Sequence, residues 1–201
     1  MKIIGVGLNY QGQLRGKDAP TEPIIFFKQD TSILLKNKPF YLPSFTKEVN
    51  YEVEIVIKID KPGKNIAPKF AHKYYSEYGL CIDFTAVDLI TEARQKGLPW
   101  DLAKGFNDSL PLSNFQPIDK LQSIDNVNFS LFINDKEVQK ANTSEMLFSV
   151  DQIIAYVSKY IFLKKGDIIL TGTPAGVAPI SIGDRLTGFI EDKKMLDFEI
   201  R

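Results

Sequence analysis

Glu52 and Glu54 stand two residues apart within the run Val49 to Ile59. In an extended strand that spacing puts both carboxylates on one face, their stems roughly 7 Å apart. Two such groups can jointly hold a divalent cation; alternatively they belong to the solvated outer face of the strand. Asp83 offers a third carboxylate from Leu80-Cys81-Ile82-Asp83-Phe84, a run apolar enough to be buried. A buried charge needs a partner, because leaving it isolated is very expensive. For Asp83 that partner is either a shared cation or the first N–H groups of a following helix. Three carboxylates would form an oxygen-ligand site with positions open for water or a chelating molecule.

Other residues fit around that site. Thr171-Gly172-Thr173-Pro174-Ala175-Gly176-Val177 follows an apolar strand, and its small residues let backbone N–H groups and hydroxyls approach an anion. The same residues also suit a plain tight turn, and no Gly-Lys-Ser/Thr follows to make a Walker loop. Lys104 lies in an apolar context after Pro99-Trp100 and could pair with the carboxylate of a bound acid, or be an ordinary solvated lysine. His72, beside Lys73, reads as a surface residue. No Ser-His-Asp or Cys-His arrangement is supported.

The elements that must position these groups are mostly strands. Val49 to Ile59 alternates apolar odd positions with Asn50, Glu52, Glu54, Val56 and Lys58, so one face should pack on the core and the other carry the polar groups. Residues 2–8, 24–27, 39–43, 127–133, 168–171, 185–191 and 195–200 read as further strands. Gln11 to Pro23 reads as a loop. Ile66 to Tyr78 is expected to be helical, then Gly79 to Phe84 a strand. Thr85 to Lys96 is expected as a helix opened by a Thr85/Asp88 capping box and stopped at Gly97. Ser149 to Phe162 is amphipathic. Strands outnumber helices without βαβ alternation, giving an α+β class with a mixed sheet core.

The bulk composition narrows the chemistry. A chain of 201 residues with no linker or repeat suits one domain, 1–201, large enough for a core without cross-links. The 25 basic and 25 acidic residues cancel, giving no electrostatic reason to expect nucleic acid or an anionic membrane as partner. Cys81 and His72 are the sole cysteine and histidine. A Cys/His zinc cluster is therefore excluded, and any bound metal should be held mainly by oxygen ligands, which points to a hard cation such as Mg²⁺, Mn²⁺ or Ca²⁺. The N-terminal apolar run is too short for a signal peptide, and no stretch approaches the roughly 18 apolar residues of a membrane span; cytoplasmic location is the default expectation.

Seven segments in order carry a resemblance along nearly the whole chain. They are Val6-Gly7-Leu8-Asn9-Tyr10, Glu22-Pro23 through Lys28, Glu52-Val53-Glu54, Cys81 to Ala86, Gly97-Leu98-Pro99-Trp100 to Phe106, Thr143 to Ser149, and Gly166 to Pro174. Together they resemble the fumarylacetoacetate hydrolase superfamily in its compact form, similar to acylpyruvase, oxaloacetate decarboxylase and 2-hydroxyhepta-2,4-diene-1,7-dioate isomerase.

That resemblance implies a mixed β-sandwich roll with flanking helices, usually a homodimer. It implies Glu52, Glu54 and Asp83 as Mg²⁺ or Mn²⁺ ligands and Lys104 as a catalytic residue. Thr173, Gly172, Lys28 and Gln139 are implied around a small 2-oxo-acid substrate. The chemistry implied is acylpyruvate C–C hydrolysis, oxaloacetate decarboxylation or keto–enol isomerisation, with the cation stabilising an enolate. Three departures stand out. Where the family usually reads Asn-Tyr-x-x-His-x-x-Glu, the last two motif residues are Gln13 and Gly16 here, and its two arginines in Gly-Arg-Asn-Tyr and Ala-Arg-Asp are Leu8 and Val87. A neutral Gln13 cannot act as a general base, so hydrolysis is the reaction most affected. The alternative is a paralogue that binds metal and a dicarboxylate with little turnover.

Overall fold

The computed structural model describes residues 1–201 apart from Arg15 and Lys17. A six-stranded mixed sheet runs, edge to edge, through Ile24–Lys28, Ile3–Gly7, Ile168–Leu170, Val53–Ile59, Tyr75–Ile82 and Gln116–Pro117. Ile168–Leu170 lies parallel to Ile3–Gly7 and antiparallel to Val53–Ile59. A four-stranded antiparallel sheet follows the order Lys136–Asn142, Asn128–Ile133, Arg185–Ile190, Lys193–Glu199. Leu131, Leu186 and Leu196 of this sheet share one buried cluster with Ile55, Ile57 and Leu80 of the first. Each such side chain contributes about 1.5–3 kcal/mol by leaving water. A three-stranded sheet of Ala178–Pro179, Val49–Tyr51 and Thr85–Ala86 closes one end. The expected α+β class and mixed sheet are observed.

Three local expectations need correcting. The strand expected over residues 49–59 is two strands, Val49–Tyr51 and Val53–Ile59, broken at Glu52. Its even-numbered face is not solvated: Glu54 and Val56 are buried, and Val56 packs in a second cluster with Ile3, Leu110, Leu112 and Leu170. Within Ile66 to Tyr78 only Pro68–Ala71 is helical, and Tyr75 already begins the strand Tyr75–Ile82. That strand is covered on both faces, so its apolar run shows no alternation and imitates a buried helix.

Among the described residues the α-helices are Val87–Lys96, Val150–Tyr160 and two single turns, Pro68–Ala71 and Asp101–Lys104. Val150–Tyr160 opens on a reciprocal cap between Ser149 and Gln152 and buries Val150, Ile153, Ile154 and Val157. Val87–Lys96 ends at Gly97 in the left-handed conformation, as expected. Its expected capping box is absent. Thr85 stays in a strand and donates to Glu52 Oε1 (3.0 Å), while Asp88 accepts from the hydroxyl of Thr46. Residues 39–43 contribute only a bridge from Phe40 to Ile200.

Candidate metal centre and active site

Three chain segments cross from the large sheet to the small one at a single level. Glu52 joins Val49–Tyr51 to Val53–Ile59, and Asp83 joins Tyr75–Ile82 to Thr85–Ala86. Thr171 to Val177 join Ile168–Leu170 to Ala178–Pro179. Leaving a sheet strands backbone groups, which must find partners when buried. Asp83 N–H donates to Glu52 O (2.8 Å), and Val53 N–H donates to the side-chain oxygen of Gln139 (2.9 Å).

The crossing gathers Glu52, Glu54 and Asp83 so that one carboxylate oxygen from each lies within 4.8 Å of the others. Among the described residues, no other group of three or more His, Cys, Asp or Glu side chains is brought together in this way. Glu54 is buried and accepts from Gly172 N–H at 2.6 Å. Burial, with Asp83 and Glu52 alongside, pushes its carboxyl well above the ordinary range, against the pull of Lys104 and the Gly172 N–H. A carboxylate so placed, with two more beside it and oxygen donors only, fits a hard divalent cation.

Two lysines compensate Asp83. Lys28 Nζ meets Asp83 Oδ1 at 2.6 Å, and Lys104 Nζ meets Asp83 Oδ2 at 2.7 Å and Glu52 Oε2 at 2.9 Å. Burial pushes the Asp83 carboxyl up, but Lys104 and Lys28 outweigh that and hold it below its ordinary value. Lys104 is held above its ordinary value because Asp83 and Glu52 overcome the effect of burial. For Lys28 burial wins, helped by repulsion from Lys104, and its pKa falls despite Asp83.

Of these groups Glu52, Glu54 and Lys104 open into a cavity of about 50 Å³, lined also by Thr173, Gln13 and Arg94 among polar residues and by Val6, Leu8, Ile24, Phe26 and Trp100 on its apolar side. Phe26 fits because Gly5 lies beneath it; a Cβ there would come within 2.2 Å of the ring. The Lys104 ammonium sits 4.8 Å from the centre of that ring. A larger concavity of about 770 Å³, around Phe132 and Phe189 on the four-stranded sheet, holds none of the three carboxylates.

The remaining expected residues divide into two groups. Thr173 lines the cavity, whereas Lys28, Gln139 and Gly172 stand behind it. Gln139 donates to Thr173 Oγ1 (3.0 Å), Pro174 O (3.1 Å) and Ala175 O (3.4 Å), which fixes the turn after Gly172. Gly172 has φ +95°, and a Cβ would come 2.7 Å from that of Asn9. Gln13 lines the cavity and donates to Pro174 O at 3.2 Å; Gly16 is not among the lining residues, and His72 is exposed away from it. Sequence reasoning missed two participants. Buried Asn9 donates to Thr171 O (2.8 Å) and Phe148 O (3.0 Å) and accepts from Phe148 N–H (2.8 Å), tying two loops together. Arg94 was legible only as a basic residue near a helix end.

This arrangement, an oxygen-ligand cluster at a corner between sheets, is a candidate acidic metal centre, and the chain belongs to the fumarylacetoacetate hydrolase family. The family's model, Fumarylacetoacetate (FAA) hydrolase C-terminal, matches residues 2–201. Among its relatives, the mitochondrial oxaloacetate tautomerase FAHD1 of Bos taurus is 38% identical over 200 residues, covering 98% of this chain and 90% of the relative. The mitochondrial oxaloacetate decarboxylase of Dictyostelium discoideum is 39% identical over 185 residues, covering 90% and 85%. The crystal structure of fumarylpyruvate hydrolase from Pseudomonas aeruginosa, in complex with Mn²⁺ and pyruvate, superposes with a TM-score of 0.94 at 28% identity, covering 100% of this chain and 89% of that one. The relatives named here are enzymes acting on oxo acids.

Proposed function

We propose that this protein is a divalent-metal-dependent enzyme of small 2-oxo acids, acting through an enolate, with oxaloacetate decarboxylation favoured over tautomerisation and acylpyruvate hydrolysis, both of which need a proton-transfer group. The observation that carries the proposal is the cluster of Glu52, Glu54 and Asp83, of which Glu52 and Glu54 line one cavity with Lys104 and Thr173 while Asp83 is buried behind them. Glu52, Glu54 and Asp83 would hold Mg²⁺ or Mn²⁺, which when bound supplies a Lewis acid for the negative charge of an enolate. Lys104, ionised by its carboxylate neighbours, offers N–H donors to the carboxylate of the substrate. Thr173 accepts from Gln139, so its own O–H is free to donate to a substrate oxygen. Phe26, Val6 and Trp100 exclude water from that side, which strengthens each polar contact inside.

The choice among reactions follows from the proton-transfer groups. Among the described residues lining the cavity, Glu52 and Glu54 would be taken up by the cation, which leaves neutral Gln13, Lys104, held protonated, and the guanidinium of Arg94. None is a general base for activating water, which hydrolysis needs. Decarboxylation sends the electrons of the breaking C–C bond into the enolate and requires no base. Purified protein loaded with Mn²⁺ or Mg²⁺ should accelerate pyruvate formation from oxaloacetate beyond the same ion in buffer. Chelator and Asp83→Asn should each abolish the difference. Rates equal to free metal would sink the enzymatic reading, and tight substrate binding with that result would identify a binding paralogue instead.

A further inference from the structure

The mouth of the cavity carries a cation that the chemistry above leaves unused. Arg94 lines the same space as Glu52, Glu54, Lys104 and Thr173, yet it is exposed and makes no ion pair among the described residues. It lies in the last turn of the helix Val87–Lys96, whose C-terminal dipole favours a positive charge. Its guanidinium carbon is 5.0 Å from the centre of the Trp100 ring. Trp100 tilts against Phe26 with centres 6.3 Å apart, and Phe26 bears the Lys104 ammonium at 4.8 Å. Two aromatic rings thus form a wall with a cation at each end. The inner cation is neutralised by Asp83 and Glu52; the outer one has its cation–π contact with Trp100 and, among the described residues, no anion to neutralise it.

We propose that Arg94 sets substrate specificity by taking the distal carboxylate of a 2-oxo diacid whose 2-oxo-acid end lies at the carboxylate cluster. The inference rests on the reading of the site as one for 2-oxo acids. A guanidinium presents a planar fork that meets a carboxylate through two N–H donors. The cation–π contact with Trp100 orients it without supplying a competing anion. No second unpaired cation stands among the described residues of the lining, and the wall between the ends is apolar. An uncharged substrate tail would leave Arg94 without a partner, whereas a carboxylate tail would satisfy it.

The test uses two unreactive probes that differ only in distal charge, 2-oxoglutarate and its 5-methyl ester. Their binding to Mn²⁺-loaded protein is measured by calorimetry for wild type, Arg94→Gln and Arg94→Lys, with pyruvate as a reference and melting curves as a folding control. Wild type should bind the diacid at least about tenfold tighter than the ester, the scale of one charge-assisted pair. Arg94→Gln should reduce that ratio to within about twofold, and Arg94→Lys should retain part of it. Added salt should erode the ratio in wild type and leave it unchanged in Arg94→Gln. A wild-type ratio near one with pyruvate still bound, or a ratio unaltered by Arg94→Gln, overturns the role of Arg94 alone. Failure of wild type to bind any of the three acids overturns the 2-oxo-acid reading, and the specificity role with it.

Discussion

Exchanging Gln139 for glutamate replaces one nitrogen by an oxygen and probes what fixes the turn carrying Thr173. The side-chain oxygen of Gln139 accepts from Val53 N–H at 2.9 Å, and its nitrogen faces three acceptors, Thr173 Oγ1, Pro174 O and Ala175 O. In Gln139→Glu the first bond survives, but a second carboxylate oxygen meets two carbonyls with no proton between them. The Thr173 hydroxyl can turn to donate to it, which withdraws that O–H from the cavity. Pro174 O keeps its bond from Gln13. The residue is 2% exposed, so water cannot compensate, and an uncompensated buried charge costs about 3–5 kcal/mol. Subtracting about 1 kcal/mol for the recovered Thr173 bond leaves about 2–4 kcal/mol. At about 2–4 °C per kcal/mol for a chain of this size, the melting temperature should fall by about 4–16 °C at pH 8.

The pH dependence gives the sign. Burial raises the introduced carboxyl's folded-state pKa above its unfolded value of about 4.3. Protonated, it donates an O–H much as the amide does. The deficit against wild type should therefore be small below about pH 4.3 and open as pH rises through the folded-state value. Calorimetric melts of both proteins from pH 4.5 to 8 measure it, with Gln139→Leu as a control whose deficit does not change with pH. Equal Gln139→Glu deficits at the two ends of that range, or a melting temperature within 2 °C (roughly 1 kcal/mol) of wild type at pH 8, would refute the reasoning.

Mn²⁺ at about 100 times its dissociation constant should stabilise the protein by about 2.7 kcal/mol, and Asp83→Asn should remove the effect; an unmoved melting curve counts against the metal assignment. Gly172→Ala should cost about 1–3 kcal/mol, because φ +95° is strained for alanine and its Cβ meets Asn9; wild-type stability in a melt would show that the loop relaxes freely. Gln13→His with Gly16→Glu should raise acylpyruvate hydrolysis by up to about 10²–10⁴-fold, while oxaloacetate turnover changes less. Gly16 has open space around its Cβ position but φ +81°, so strain will hold the gain toward the lower end. An unchanged hydrolysis rate would mean that another group is the base.

The carboxylates were legible because their chemistry is local to the sequence. Two residues of strand spacing and one aspartate in an apolar run suffice to nominate a site. What period-two alternation could not reveal is the break at Glu52. It hides there because Val49, Tyr51 and Val53 are all buried, so the apolar pattern continues while the strand changes sheets. Tyr75–Ile82 was misread for a related reason: a strand covered on both faces has no polar stripe to betray its period. Gln139 was placed near the substrate by resemblance, but its grip on three oxygens and one N–H comes from chain segments far apart in sequence. Arg94 is ordinary in its own helix and gains meaning only from Trp100 and the cavity opposite.

The common crossing level of three chain segments makes the site a joint between two sheets. Glu54 belongs to the large sheet, while Glu52 and Asp83 sit on the links that lead into the small one. An ion shared by the three would rivet the sheets together, and loading would then be felt as local rigidity. The small sheet, whose strands are two or three residues long, can form few ladder hydrogen bonds of its own. Amides at Asn50, Thr85 and Ile180 should exchange with solvent more slowly in the loaded protein, while those deep in Val53–Ile59 change little. Occupancy of the centre and closure of that end of the molecule would then be one equilibrium, observed from two sides.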